Sequence, residues 1–241
     1  MLKICSVGIL VLALAGCGAP RPRQAAPPAA DGSASNLGSS SIGKRYRVDE
    51  NQSELRILVY RAGPLARLGH NHVVINRAIR GLVTLADAAG APDVAGKSEF
   101  SLSVPVAGFV VDDAQARREE GADFAAEVPD DARTGTLHNM QSTAVLDADE
   151  FPVISISGVN IAARPGADSV TMTAAVAFSV AGHESKIDVP FALQIDSTHM
   201  VATGTVELRQ TALGLTPYSL MLGALQVQDA IIIKFKILAN L

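Results

Sequence analysis

From Arg45 to the C-terminus the dominant repeat along the chain is two, an apolar side chain followed by a polar or small one. Leu55, Ile57 and Val59 alternate with Arg56 and Tyr60, and Phe100, Leu102, Val104 and Val106 alternate with Ser101 and Ser103. The same holds for Val170, Met172, Ala174, Val176, Phe178 and Val180, for Ile187 to Ile195, and for Ile231, Ile233, Phe235 and Ile237. Successive side chains of a strand point to opposite faces, so this period predicts strands with one buried face. Ala181-Gly182 and Asp196-Ser197-Thr198 stand between alternating runs as hairpin turns would, which makes neighbouring strands of the second half antiparallel. Two stretches break the period. Asp112 or Asp113 caps a short helical run to Glu120, and Pro129-Asp130-Asp131 opens another that ends near Met140. About eight to ten strands with one or two short inserted helices predict an all-β sandwich or closed barrel, and a barrel of eight leaves room for one ligand.

The first residues obey other rules. Lys3 followed by the apolar run Ile4 to Leu14 has the length of an export signal and is too short to span a bilayer. It ends in Leu14-Ala15-Gly16-Cys17, which is similar to a bacterial lipobox, so residues 1–16 are expected to be a signal peptide and Cys17 the lipidated first residue. Gly18, where an inner-membrane lipoprotein would carry Asp, favours the outer membrane, facing the periplasm. Residues 17–44, rich in Ala, Pro, Gly and Ser, have little to bury and read as a tether; about 27 flexible residues reach roughly 25 to 30 Å. The folded domain is expected over residues 45–241.

Composition narrows the function. With 20 basic and 24 acidic residues and no Trp, the chain has neither the charge nor the stacking platforms for nucleic acid. Cys5 would leave with the signal and Cys17 would carry lipid, so nucleophilic cysteine chemistry is excluded. No Walker loop, dinucleotide glycine fingerprint, nucleophile elbow or His-Glu-x-x-His occurs, and the acidic pair Asp112-Asp113 with the run Arg117 to Glu120 reads as a solvated face. A binding protein is expected rather than an enzyme.

The order of several segments carries a resemblance. Tyr46-Arg47-Val48-Asp49 with Ser53, then Asn139-Met140, Val145 to Ala148 and Phe151 to Ile154, then Leu208 to Thr211 with Gly214-Leu215 and a final strand from Val227 to Ile237, resemble the YceI-like family. The resemblance implies a lipocalin-like antiparallel barrel that binds a polyisoprenoid; no cofactor is expected beyond a bound polyisoprenoid or quinone-like lipid, and the membrane is a partner through the N-terminal lipid. Phe100, Met172, Phe178, Phe191 and Phe235 are the candidates for the lipid-binding wall. The chain departs from that family in Gly69-His70-Asn71-His72, where Arg67, His70 and His72 are expected to form the polar end of the site. Two imidazoles on one strand face also suit a metal if His138 joins them, so a metal-binding or catalytic periplasmic protein is the alternative, and a filled-barrel envelope scaffold is another. The segment Pro217 to Gly223 lengthens the connection before the last strand, as a lid or a packed loop.

Overall fold

The computed structural model describes residues 43–88, 91–92, 98–163 and 171–241. The expected signal peptide, Cys17, almost all of the tether and Val170 lie outside the described residues. In chain order the strands are β1 (Gly43–Val48), β2 (Glu54–Ala62), β3 (His72–Asn76), β4 (Arg80–Ala88), β5 (Ala91–Pro92), β6 (Glu99–Pro105) and β7 (Phe109–Val111), followed by helices α1 (Ala114–Glu119) and α2 (Asp130–Gln141). The second half is β8 (Val153–Ala163), β9 (Thr171–Val180), β10 (His183–Ile195), β11 (His199–Arg209), β12 (Ser219–Leu220) and β13 (Leu225–Asn240). β1 starts ahead of residue 45 because Gly43 and Lys44 already pair with Ala86 and Leu85.

Every pairing is antiparallel, and the order β1-β4-β6-β8-β9-β10-β11-β13 closes on itself where β13 meets β1. The sandwich alternative is thereby excluded in favour of an eight-stranded barrel, in which closure gives each barrel strand a partner on both sides. The long strand β13 forks. Its last residues face β1, with Ala239 opposite Val48, while Gln226 to Lys236 face β2. Ser53 secures the fork, donating its hydroxyl to Leu238 O at 3.2 Å and accepting from Leu238 N at 3.1 Å. Beyond the fork β2, β3 and β7 form a three-stranded flap.

The hairpins form where the chain punctuates itself. Ala181 (φ 47°) and Gly182 (φ 76°) both adopt the left-handed conformation demanded by the tight turn between β9 and β10. Alternation puts the two faces of the flap to different uses. Leu58, Val73 and Ile75 pack under Ala116 and Phe124 on the outside, whereas Val74 joins the main core with Tyr46, Val83, Val104 and Ile237. α2 packs on β7, and its Leu137 and Met140 lie against the main core.

Asp113, and not Asp112, caps α1, accepting from Gln115 N and Ala116 N. The expected solvated face is corrected here: Asp112, Arg117 and the Glu120 side chain are buried. Glu120 sits between Lys234 and Arg56, which stand directly opposite each other on β13 and β2. Burial would raise its carboxyl, but hydrogen bonds from Lys234 and Arg56 outweigh burial and hold it below the usual range.

Candidate functional site: an apolar barrel interior beside a buried ionic clamp

The barrel interior encloses a cavity of about 120 Å³ whose walls are entirely apolar. Phe100, Phe178, Phe191 and Phe235 line it, as four of the five expected wall residues. Met172 does not. It shares the inner face of β9 with Ala174 and Val176 but lies beyond them, 1% exposed and packed with Ile161, Val189 and Phe191. An unbranched thioether fills such a gap by adapting its torsions, so it plugs the interior instead of lining it. Lining residues that the sequence reading passed over include Ile79, Val83 and Leu85 near or on β4 and Met200, Val206 and Leu208 on β11. The β11 alternation was available in the sequence, but Gly204 interrupts it at the centre.

Two phenylalanines pack against glycines of the neighbouring strand. Phe100 stands opposite Gly158 on β8, and a methyl group placed on Gly158 would come within 2.1 Å of the ring. Phe235 stands opposite Gly204, where the corresponding approach is 2.4 Å. The missing side chains let both rings rest on the wall, which keeps the bore open between them. Gly158→Ala or Gly204→Ala is therefore expected to push a ring into the interior and destabilise the domain by about 1 to 3 kcal/mol, as overpacking does. A fall in melting temperature would register this; an unchanged melt would show that the rings have other room.

The polar residues expected at the end of the site are distributed differently. By the register of β2 and β3, His72 lies opposite Val59 and Asn76 opposite Leu55, so His72 shares the inner face of the flap with a cavity residue. It does not reach the cavity wall. Its Nδ1 is 2.7 Å from Asp112 Oδ2 and its Nε2 is 3.3 Å from the Thr136 hydroxyl of α2, so both ring nitrogens have protein partners. His70 precedes β3, its ring centroid 6.1 Å from that of His72, while Arg67 is exposed and away from the cavity. His138 is exposed on α2, and among the described residues no three His, Cys, Asp or Glu side chains converge as metal ligands would.

Asp112 is the centre that the sequence reading missed. Its Oδ1 accepts from Val73 N at 2.9 Å and from the Arg117 guanidinium, and its Oδ2 faces His72. Burial would push the carboxyl up, but the hydrogen bond and charge of His72, the Val73 amide and Arg117 together hold it below the usual carboxylate range. Being ionised, it accepts only, which puts the His72 proton on Nδ1. Arg117 also donates to Asn71 O and Ala126 O at 2.8 Å each and lies over the Phe124 ring at 5.9 Å. The cluster joins β3, α1 and α2 at one end of the barrel as an ionic clamp.

A family model for the YceI-like domain matches residues 46–239. The chain belongs to the YceI-like family. Its match spans the whole YceI-like barrel, from the middle of β1 almost to the end of β13. The solved structure of BcnA from Burkholderia cenocepacia is similar with a TM-score of 0.54 at 12% identity, covering 80% of this chain and 99% of that one. A polyisoprenoid binding domain from Saccharophagus degradans, implicated in plant cell wall breakdown, is similar with a TM-score of 0.50 at 10% identity, covering 81% and 97%. At such identities the likeness establishes the fold of this YceI-like domain. No curated protein matches the chain.

Proposed function

We propose that this chain is an exported lipoprotein, anchored through Cys17 in the outer membrane, whose barrel binds an amphiphilic isoprenoid or another lipid-like molecule. The observation that carries the proposal is the cavity wall, which presents no polar group to its contents. Such a wall can offer a guest only dispersion and release from water, worth about 0.8 kcal/mol for each methylene buried. The polyisoprenoid binding of the Saccharophagus degradans domain supports the same reading. A cavity of about 120 Å³ is of the order of the roughly 150 Å³ apolar cavities that stay dry and take a benzene. A longer chain therefore enters with rearrangement of the rings and of Met200 along the wall. No step of this function requires catalysis, and the partners engaged by His72 give it a clamping role rather than a role in chemistry.

Mass spectrometry of the organic extract of purified protein is the test. An isoprenoid or quinone-like lipid near one per protein is expected, and extracts indistinguishable from buffer carried through the same purification would refute the binding. Cys17→Ser is expected to abolish acylation at that residue and release the protein from outer-membrane fractions, read by the intact mass and by fractionation. An acylated variant, or one still in the outer-membrane fraction, would refute the anchor while leaving the cavity reading intact.

A further inference from the structure

The end of β12 and the turn that leads into β13 expose apolar side chains that a soluble surface has no use for. Leu222 is 108% exposed, Met221 72% and Leu220 45%, three in succession. Met221 (φ 51°) and Leu222 (φ 56°) are moreover both left-handed, a conformation in which the Cβ of an ordinary residue crowds the backbone. Within Pro217 to Gly223, Pro217 and Tyr218 are half-buried and Ser219 and Leu220 pair with β13, whereas the side chains of Leu220 to Leu222 are exposed. It does not stand alone. Leu65 N donates to Ala224 O at 2.8 Å and Gly63, left-handed at φ 89°, fits against the carbonyls of Gly223 and Ala224, which locks the connection between β2 and β3 to this loop. That connection carries Leu68, 60% exposed, next to the exposed Arg67, and the exposed Arg61 near the end of β2 donates to Gly69 O at its far end.

We propose that Leu68, Leu220, Met221 and Leu222 form a tip that inserts into a bilayer surface, with Arg61 and Arg67 at the level of anionic headgroups. The shape selects this occupant. A stable protein interface covers about 800 Å² on each partner, far more than four side chains on two loop ends can supply. A bilayer needs no complementary groove and accepts apolar side chains a few ångströms below its headgroups, held by cationic residues above. The inference rests on the membrane-anchored reading, which keeps the domain within reach of a bilayer. The tip stands at the same end of the barrel as His70 and His72, which close the same connection.

The absence of Trp from the whole chain makes the tip measurable. Leu222→Trp supplies a single indole at the tip, and Val159→Trp, at an exposed position of β8, supplies one on the barrel wall. Each full-length variant is mixed with vesicles of phosphatidylethanolamine and phosphatidylglycerol, with and without brominated acyl chains. Emission from Leu222→Trp is expected to shift to the blue and to be quenched several-fold more by the brominated lipid than emission from Val159→Trp. Equal quenching at the two positions would overturn the proposal. A blue shift that brominated lipid does not quench would overturn it as well, since a protein surface, such as a second copy of this chain, would then cover the tip. Lipid extraction reads the cavity and quenching reads the tip, so the two proposals fail separately.

Discussion

Asp112→Ala is expected to destabilise the domain by about 3 to 5 kcal/mol, the range for removing one partner of a buried ion pair. The variant leaves the Arg117 guanidinium, the Val73 amide and the His72 Nδ1 proton without their acceptor in a buried place. Asp112→Asn keeps one acceptor oxygen but loses the charge that balances Arg117, so it should fall between the wild type and Ala. The pH dependence has a defined sign. A carboxyl whose folded value lies below its unfolded value near 3.8 stabilises fully above that pH and loses the contribution as pH falls through the folded value. Urea denaturation of wild type and Asp112→Ala should therefore show a gap that is widest near neutrality and closes on acidification. A constant gap down to strongly acidic pH would mean that Asp112 acts by packing and not by charge.

The strands that the sequence displayed were those with a clean one-sided burial. Residues Phe178 to Val180 and His183 to Ser185 form a hairpin around Ala181-Gly182, and the turn residues chosen for it adopt the left-handed backbone that the turn requires. The alternation was weak where a strand faces two environments. In β4 Leu82 is exposed beside the buried Val83, and in β3 all five residues are buried because the flap has α1 behind it and core in front. A strand covered on both faces has no period to detect. The fork of β13 could not be read locally either, since it depends on β1 and β2 sharing one partner strand.

The apolar part of the site was legible and the polar part was not, for a physical reason. Residues along one strand face reach the interior by the pleat alone, so Phe100, Phe178, Phe191 and Phe235 followed from alternation. Asp112 and Asp113 are neighbours with opposite fates: one caps α1 in the open and the other is held under the flap by His72, distant in sequence. Nothing in a pair of adjacent acids says which will be buried. The combination of a His on a strand and an Arg five residues beyond an Asp is the signal, and it becomes informative once β3 and α1 are known to touch.

Phe191→Asp is expected to be the most damaging substitution in the cavity wall. The ring is 9% exposed and pairs across the sheet with Met172. Truncating a buried Phe costs about 3 to 5 kcal/mol, and a carboxylate facing walls with no polar partner adds a desolvation penalty of several more. Set against the roughly 5 to 15 kcal/mol that holds a domain of ordinary size together, the loss is of the same order as the whole margin. The variant should either unfold in a thermal melt or fold with its guest expelled. Phe191→Leu separates the two effects, because it keeps the wall apolar and should melt only slightly below the wild type while retaining bound lipid. Phe178→Asp, on the same inner face as Val176 and less deeply buried, should show the same loss with a smaller change in melting temperature. If Phe191→Asp or Phe178→Asp folds and still yields the wild-type amount of lipid on extraction, the guest does not touch these walls and the barrel interior is core rather than site.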